Sequence, residues 1–300
     1  LSSRVYEQRQ GIPQGSILST LLISLLYAHM EKHALGPQMP VGWEQRGLLL
    51  RMVDDFIFIS TSERDASAFI RIMSHGFPDY GCWLNEAKSV VSFKGSRSAC
   101  RVEKRCISWC GLLFDVNQFS VHADYSKYFE QCVRSTVTME ASQPGRSLLS
   151  KSKTFFRLRL LASLVDVRLG SEVSVVQNIL QACMLAAMKC QGMAVGLPVR
   201  SSDFLTKAVK EIVDYAVIFV RRLVKKHRVP DVGALKPVCI WALCTHAFYV
   251  VFIKRKGAFF ALCKWLELKE RQAGKLVLDL VGSEETLRQM EFSLLDRITV

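Results

Sequence analysis

The 300 residues of this chain are enough for two domains of ordinary size, and half of them are hydrophobic, which predicts a globular fold and excludes a disordered chain. The formal net charge is +13, and it is uneven: residues 1–122 contain 13 Lys and Arg against 11 Asp and Glu, whereas residues 123–300 contain 27 against 16. A basic excess confined to one region favours a polyanionic partner, with a solvated basic face as the alternative.

The ten cysteines include no Cys-x-x-Cys pair, which argues against a zinc ribbon. Several of them lie inside apolar helical runs, which fits a reducing compartment better than secretion. The run from Val238 to Ile253 is the only stretch that suggests a membrane span, but it contains His246 and is shorter than the roughly 20 apolar residues that a span needs. We therefore expect a buried helix there and no membrane partner.

Strand and helix patterns alternate over the first 122 residues. Residues 1–10 predict a strand, which leads through the glycine-rich loop Gln10–Ser16 into a helix over Leu18–His33. The pattern then predicts, in chain order, strands over Leu48–Val53 and Phe56–Ile59, a helix over Ser62–His75, a strand over Val90–Phe93 and a polar loop over Lys94–Lys104. After the loop it predicts a hairpin that begins with the apolar run Cys106–Asp115 and turns at Asn117 into a second strand.

Helical periodicity dominates from Asp124 to the end of the chain. The clearest predicted helices are Lys151–Leu169, Val173–Met193, Phe204–Lys226 and Leu235–Ile253, separated by glycine and proline. The sequence therefore predicts a strand-and-helix domain over residues 1–122 and a helical domain over residues 123–300.

The most informative feature is the pair Asp54-Asp55, at the reversal between two apolar strands. Adjacent carboxylates repel, so the pair is unfavourable unless a cation or a polar network compensates it. Two-metal phosphoryl transfer supplies that cation, because carboxylates hold Mg²⁺ beside the attacking and leaving oxygens. An Asp-rich turn without a metal is the alternative interpretation of the hairpin taken alone.

Three further signals surround this hairpin. Upstream, Gln10-Gly-Ile-Pro-Gln-Gly-Ser16 is a glycine-rich loop before a helix, where the backbone can approach a ligand closely, although an ordinary tight turn has the same pattern. Downstream, Lys88 could give charge or a proton to a departing pyrophosphate, although most lysines only face solvent. Trp109-Cys-Gly111 places an aromatic ring beside a glycine, which suits contact with a nucleic acid, although a core tryptophan is the alternative.

In this order, the loop, the Asp-Asp hairpin, Lys88 and Trp109-Cys-Gly111 resemble the palm of reverse transcriptases. The sequence motifs Leu49-Leu-Arg-Met-Val-Asp-Asp-Phe56 and Asp124-Tyr-Ser-x-Tyr128 resemble those of telomerase reverse transcriptases in particular. The resemblance covers nearly the whole chain. It implies an α+β fold, in which a partial reverse-transcriptase palm, an antiparallel sheet with helices, is followed by an all-α thumb.

The resemblance implies an RNA-directed DNA polymerase that extends telomeric DNA 3′ ends by copying a bound RNA through two-metal nucleotidyl transfer. Asp54 and Asp55 are implied ligands of the catalytic Mg²⁺ pair, and Lys88 is an implied general acid. The implied template and nucleotide pocket consists of Gln10, Gly11, Ile12, Pro13, Gln14, Gly15 and Ser16, and the implied primer grip of Trp109, Cys110 and Gly111. The implied partners are the telomerase RNA template, single-stranded telomeric DNA, the RNA–DNA hybrid and deoxynucleoside triphosphates, and the implied location is the nucleus, at telomeres.

One part of the family pattern is missing. The third metal-binding aspartate belongs to an earlier palm strand, but only nine residues precede Gln10 and none of them is Asp. The sequence also begins with Leu1, so we expect a longer native protein and no polymerase activity from these residues alone. The alternatives are a retroelement or intron-type reverse transcriptase, and a non-catalytic nucleic-acid-binding remnant. Both hairpin aspartates and the intact loop argue against the remnant.

Overall fold

A computed structural model of the chain describes residues 7, 11–12, 15–93, 100–103, 105–129, 131–140, 142–197, 202–295 and 298. At residues 202 and 292–295 only the backbone is described. The chain divides into two compact units, Leu1–Cys110 and Gly111–Val300. The strand predicted over residues 1–10 lies almost entirely outside the described residues.

The first unit is built around one helix and one hairpin. Helix α1 (Ser19–Met30) continues through a π-helical turn over Glu31–Leu35, which agrees with the predicted helix. After the short helix α2 (Trp43–Arg46), strands β1 (Gly47–Met52) and β2 (Asp55–Ser60) pair antiparallel, with Met52 opposite Asp55. The predicted hairpin is therefore confirmed.

The remaining elements of this unit are shorter. Helix α3 (Glu63–His75) begins at Ser62, whose side chain accepts a hydrogen bond from the Asp65 amide. Strands β3 (Val90–Val91) and β4 (Arg101–Val102) pair in parallel, and β5 (Cys106–Trp109) ends the unit. Its apolar side chains form two small buried clusters: Met30, Leu35, Met39, Ile72, Met73 and Phe77 in one, and Ile70, Val91 and Cys100 in the other.

Strand β4 lies inside the segment predicted as a polar loop over Lys94–Lys104, and that prediction was wrong at these two residues. The amide of Arg101 donates to the Ser89 carbonyl at 3.1 Å, and the amide of Glu103 donates to the Val91 carbonyl at 2.8 Å. Pairing with a strand already in place thus overrides the low strand propensity of a polar sequence.

The second unit begins with a hairpin and continues with six helices in the part that the structure describes. Strands β6 (Leu112–Asp115) and β7 (Ser120–Ala123) pair antiparallel, and the Asp115 carboxylate accepts hydrogen bonds from two amides of the connecting turn. The helices are α4 (Pro144–Arg159), α5 (Glu172–Val195), α6 (Ser202–His227), α7 (Pro237–Ile253), α8 (Phe260–Val281) and α9 (Glu284–Leu295). This order of a small sheet and then helices confirms the α+β fold class.

Helix α5 is the centre of the second unit and is buried along nearly its whole length, against α4, α7 and α8. Among the described residues it is the one helix long and apolar enough to cross a membrane, and 89% of its most apolar stretch lies inside the protein. The sequence prediction had singled out only Val238–Ile253. It predicted the helix Val173–Met193 but did not consider it as a possible span, because the polar residues Gln181, Lys189 and Gln191 interrupt its apolar run; all three are buried.

Two boundaries in this unit differ from the sequence predictions. Helix α4 begins at Pro144, which suits the first turn of a helix, and ends at Arg159 because Leu160 is extended, so the predicted span Lys151–Leu169 was shifted. The compact unit also begins at Gly111, ahead of the predicted boundary at residue 122. The reason is packing: the Asn178 side chain of α5 donates to the Val121 carbonyl at 2.9 Å, which joins the β6–β7 hairpin to the helices.

Candidate active site

The Asp-Asp pair lies in a tight turn with an unusual backbone. Val53 and Asp54 connect β1 to β2, and Asp55 is the first residue of β2. The φ angle of Val53 is +59°, a region that β-branched residues rarely adopt and that glycine usually fills in such hairpin turns. Conformations of this kind cost on the order of 1–3 kcal/mol and persist where the surroundings hold them.

Arg51 is the side chain that holds this turn. Its Nη1 donates to the Val53 carbonyl at 2.8 Å, and its Nη2 donates to the Ser24 carbonyl of α1 at 3.3 Å. Its Nε forms an ion pair with Glu31, in which both side chains are mostly buried. Three contacts with α1 and the turn thus fix the backbone that presents Asp54.

Two aromatic rings pack beside this guanidinium. Its central carbon lies 5.4 Å from the ring centroid of Tyr27 and 5.9 Å from that of Phe56, and the two rings meet edge to face. Burial raises the pKa of Tyr27 to about 12, and the neighbouring Cys82 and Asp54 act in the same direction. The phenol therefore stays neutral at physiological pH and serves as a wall of the site.

Trp109 and Cys110 lie against Asp55. The indole Nε1 donates to the Asp55 carbonyl at 3.3 Å, and the Cys110 thiol lies 3.8 Å from the Asp55 carboxylate oxygen Oδ2. Burial, followed by the charges of Asp55 and Asp54, raises the pKa of Cys110, so the thiol remains protonated and can donate to that carboxylate. The structure thus brings the Asp-Asp turn together with two of the three predicted grip residues.

The third grip residue, Gly111, opens the second unit. Its φ angle is +80°, and that of Cys110 is +50°. Positive φ angles are uncommon at residues other than glycine, so the backbone conformation of Cys110 is unusual.

Lys88 and the glycine-rich loop are less fully defined. Lys88 is exposed at the end of the turn Glu86–Lys88, and its ammonium forms no hydrogen bond or ion pair with a described residue. In the predicted loop, Gln10, Pro13 and Gln14 lie outside the described residues. Gly11 and Gly15 adopt φ angles of +77° and +87°, which only glycine tolerates easily, Ile12 is half-buried, and the Ser16 hydroxyl accepts a hydrogen bond from the Leu18 amide.

The two hairpin carboxylates supply only some of the ligands that a metal ion needs. Asp54 and Asp55 are both exposed, and neither forms an ion pair with a basic side chain among residues that the structure describes. Carboxylate oxygens are the ligands that Mg²⁺ prefers, and adjacent unneutralised carboxylates suit a divalent cation. Within the described ranges, however, no group of three His, Cys, Asp or Glu side chains is close enough to hold a metal ion. The pair therefore fits Mg²⁺ as part of a ligand set completed by other groups.

Sequence reasoning did not single out Arg51, Glu31 or Tyr27 as site residues. A signal for Arg51 was present, because it is the one charged residue in an otherwise apolar strand, directly before the Asp-Asp turn. Glu31 and Tyr27 carried no comparable signal, since charged and aromatic residues are ordinary on the face of a helix.

Comparison with known proteins gives relatives for nearly the whole chain. No family model matches it. It is 32% identical over 308 aligned residues to the telomerase reverse transcriptase of Canis lupus familiaris. The alignment covers 97% of this chain and 26% of that protein. It is also 32% identical over 279 residues to the telomerase reverse transcriptase of Bos taurus, in an alignment that covers 87% of this chain and 24% of that protein. The chain thus spans about a quarter of the length of the curated relatives it matches.

A plant relative and a solved structure extend the comparison. The telomerase reverse transcriptase of Arabidopsis thaliana is 32% identical over 224 residues, which are 63% of this chain and 19% of that protein. A structure of telomerase from Candida albicans in complex with a fragment of telomeric RNA superposes with a TM-score of 0.56 at 17% identity, over 86% of this chain and 36% of that one. At that identity the superposition supports the fold alone.

Proposed function

The chain belongs to the telomerase reverse transcriptase family, and from this premise we propose that it is part of a telomerase catalytic subunit, an RNA-directed DNA polymerase. The reaction is extension of a DNA 3′ end by copying part of a bound RNA. In each step the primer 3′-hydroxyl attacks the α-phosphate of a deoxynucleoside triphosphate in line, and pyrophosphate leaves. The observation that carries the proposal is the Asp54-Asp55 turn, held by Arg51 and flanked by Trp109 and Cys110.

Each group at this turn has a role that its contacts support. Asp54 and Asp55 would hold Mg²⁺, which would stabilise charge on the attacking and leaving oxygens. Arg51 fixes the Val53 carbonyl and so the direction of both carboxylates. Trp109 and Cys110 link the strand that grips the primer to Asp55, which keeps the primer end beside the carboxylates.

Two further site assignments rest on the family motif. Lys88 is exposed and has no partner among described residues, so its ammonium is free to reach the triphosphate and give a proton or charge to the pyrophosphate. The loop Gln10–Ser16 contacts the template and shapes the nucleotide pocket. The left-handed Gly11 and Gly15 support this role, because they allow close approach of the backbone to a base or sugar.

Residues 1–300 alone are not expected to extend a primer. The described residues supply two adjacent carboxylates and no third metal-binding group near them. A further acid from a longer protein would complete the ligand set, and the relatives are about four times the length of this chain. The partners we propose are a telomerase RNA template, single-stranded telomeric DNA, the RNA–DNA hybrid and deoxynucleoside triphosphates, with action at telomeres in the nucleus.

Primer extension tests this function. The full-length protein, isolated with its bound RNA, is given a single-stranded telomere-like primer and no added template, before and after treatment with RNase. A ladder of added repeats that RNase abolishes is the expected result. Extension only with an external primer–template would indicate a retroelement-type enzyme, and no extension with intact RNA would overturn the proposal.

A further inference from the structure

Two histidines of the first unit lie side by side on one face of a helix. His29 is in the last turn of α1, and His33 follows four positions later, in the π-helical turn Glu31–Leu35. Side chains four positions apart are neighbours on a helix surface, and here the two ring centroids are 4.3 Å apart, with 34° between the ring planes. Both side chains are exposed. The pair therefore presents two imidazole rings to solvent at one place.

Tyr80 fixes the orientation of the first of these rings. Its hydroxyl lies 2.8 Å from Nδ1 of His29, although the two residues are 51 positions apart in sequence. Tyr80 is half-buried and packs against the cluster that contains Met30 and Phe77, so the tertiary fold holds the phenol in place. This contact uses Nδ1 and leaves Nε2 of His29 without a hydrogen-bond partner among the described residues.

A buried histidine of the second unit shows the opposite arrangement. Both ring nitrogens of His246 are engaged inside the protein, with Glu270 at 2.6 Å and Glu291 at 2.7 Å. His33, in contrast, contacts the ring of His29, but neither of its nitrogens has a hydrogen-bond partner in the part of the chain that the structure describes. The helix pair thus offers free nitrogen lone pairs that a bound ion can use.

Paired imidazoles at this spacing are a chelating arrangement, because both rings can direct a nitrogen to one ion. Neutral imidazole suits Zn²⁺, Cu²⁺ and Ni²⁺, whereas Mg²⁺ prefers oxygen ligands. With Zn–N bonds of about 2.0–2.1 Å, two nitrogens of a tetrahedral ion lie about 3.3 Å apart, a spacing that adjacent rings reach by rotating about χ2. When Nε2 of His29 binds the ion, the ring proton is on Nδ1 and donates to the Tyr80 hydroxyl oxygen. This is the usual outer contact of a metal-binding histidine.

We propose that His29 and His33 form a binding site for a divalent transition-metal ion of the zinc class, with Tyr80 as the outer hydrogen-bond partner. The two imidazoles supply two ligands, and solvent fills the remaining positions, because no group of three His, Cys, Asp or Glu side chains within the described ranges could hold an ion. The site is separate from the Asp-Asp turn and takes a different class of ion, so it does not depend on the proposed polymerase function.

The position of the pair gives the ion a structural consequence. His29 and His33 flank Glu31, whose carboxylate forms an ion pair with Arg51, and Arg51 in turn holds the Val53 carbonyl. An ion that joins the two rings braces the helical turn that carries Glu31. We therefore expect the ion to raise the thermal stability of the first unit.

Metal binding by the full-length protein, measured without primer or nucleotide, tests the site apart from catalysis. Zn²⁺ is titrated by calorimetry in excess Mg²⁺, which occupies exposed carboxylates such as the Asp-Asp pair. His29→Gln and His33→Gln should each lose one equivalent of bound Zn²⁺ relative to the wild type, together with the rise in melting temperature that Zn²⁺ causes. His227→Gln is the matched control, because it removes an exposed imidazole that has no other histidine within four positions in the sequence.

Two further readouts identify the ligands. Tyr80→Phe keeps both imidazoles but removes the outer hydrogen bond, so Zn²⁺ affinity at this site should fall by about 10–100-fold. Co²⁺ in place of Zn²⁺ reports the ligand atoms by its absorption spectrum, because thiolate ligands add sulfur-to-metal charge-transfer bands. The bound Co²⁺ that the histidine variants lose should lack those bands, although Cys110 and Cys132 are exposed free thiols.

Several results would overturn the site. Equal Zn²⁺ stoichiometry and affinity in the wild type, His29→Gln and His33→Gln would leave the two rings as a stacked, solvated pair. Loss of the Zn²⁺ equivalent in Asp54→Asn, with both histidine variants unchanged, would assign the ion to the carboxylates.

A measurement on the wild type does not depend on the folding of any variant. Diethyl pyrocarbonate modifies accessible histidines, and mass spectrometry locates the modified residues. Zn²⁺ should protect His29 and His33 but not His227. Equal modification of His29 and His33 with and without Zn²⁺ would contradict the proposal, whatever the primer-extension assay shows.

Discussion

The two units of this chain treat their apolar side chains differently. The helical unit closes one large core, in which Phe156, Phe248 and Phe252 are fully buried. The first unit has two small clusters and leaves apolar side chains exposed along α1 and the hairpin: Ile17, Leu18, Leu21, Leu22, Leu25, Leu26, Leu48, Leu50, Met52 and Val53. The second unit also exposes some large apolar side chains, but fewer of them although it is the longer unit. The helical unit therefore has a large core of its own, whereas the first unit, to which we assign the chemistry, has small clusters and more exposed apolar side chains.

The polar groups show the same division of labour. In the first unit the notable groups are exposed carboxylates on a strained turn, Asp54 and Asp55. In the second they are cations around the ring of Tyr128, namely Lys127, Arg159 and the buried Lys189. A carboxylate pair suits metal ions and a cation cluster suits phosphate, so we assign reaction and strand binding to different units.

The sharpest way to break this division is Asp54→Asn in the full-length protein. Losing one metal ligand removes several kcal/mol of transition-state stabilisation, so primer extension should fall by about 1000-fold or more. Affinity for the RNA–DNA hybrid should not change, because the basic unit is untouched. Asp79→Asn, at an exposed acid in the turn Pro78–Tyr80, is the control. Extension by Asp54→Asn at the wild-type rate would remove the hairpin from the active site.

A core truncation sharpens the contrast in stability. Phe248 is fully buried in the helical unit, and Phe248→Ala should lower the free energy of unfolding by about 3–5 kcal/mol. Phe260 is 63% exposed in the same unit, and Phe260→Ala should change it by less than about 0.5 kcal/mol. Urea unfolding followed by circular dichroism measures both. Equal losses would mean that the helical unit lacks the core described above.

The helical unit also contains a pH-dependent link between its last three helices. His246 of α7 lies 2.6 Å from Glu270 of α8 and 2.7 Å from Glu291 of α9. Burial alone lowers the pKa of His246, but the hydrogen bonds and charges of both carboxylates outweigh it and raise the pKa from 6.5 to about 9. A folded-state pKa above the unfolded value stabilises the fold fully below about pH 6.5, and that contribution is lost as pH rises through about 9.

His246→Gln should remove this contribution, which amounts to about 3 kcal/mol below pH 6.5. The measurement is the difference in unfolding free energy between wild type and variant from pH 6 to pH 9.5. Taking the difference matters because Lys189, whose pKa is lowered, contributes with the opposite sign in the same range. A difference that does not shrink with rising pH would show that the imidazole is neutral in the folded state.

The smallest predicted effect concerns the support of the turn. Arg51→Met removes the donor to the Val53 carbonyl and the partner of Glu31, and groups that orient metal ligands contribute about 10–100-fold to metal affinity or activity. Extension should fall by that factor and recover in part at higher Mg²⁺. Adding Val53→Gly should rescue part of the loss, because glycine adopts the positive φ without strain.

The matched control for this variant is Arg64→Met, at an exposed arginine in the first turn of α3. A loss in Arg51→Met that neither Mg²⁺ nor Val53→Gly relieves would indicate that Arg51 stabilises the fold and does not position the carboxylates.

Much of this architecture could be predicted from the sequence, and the exceptions have physical reasons. The β1–β2 hairpin, α3 and α5 follow from local periodicity and turn residues, so pattern alone located them. Strand β4 could not be predicted, because its pairing depends on a strand ten residues away in sequence and not on its own side chains. The β6–β7 hairpin is likewise joined to the helical unit by long-range contacts, among them the hydrogen bond from Asn178 to Val121 and the packing of Leu112 and Val121 against the core.

The site divides in the same way. Asp54, Asp55 and Trp109 are short-range motifs and could be named in advance. The support from Arg51 and Glu31 could not, because those residues are 20 positions apart and meet only when α1 packs beside the hairpin. The cations around Tyr128 were visible only as a regional excess of charge, since their convergence depends on three separate elements.

The most direct test compares Asp54→Asn and Lys127→Ala in the same full-length preparation, with extension rate and hybrid affinity measured on each. The account predicts that Asp54→Asn loses extension and keeps affinity. It predicts that Lys127→Ala binds the hybrid more weakly, with a flatter salt dependence, but extends at the wild-type rate once the hybrid is saturating. Extension by Asp54→Asn, or a joint loss of rate and affinity in both variants, would contradict the separation of chemistry and strand binding between the two units.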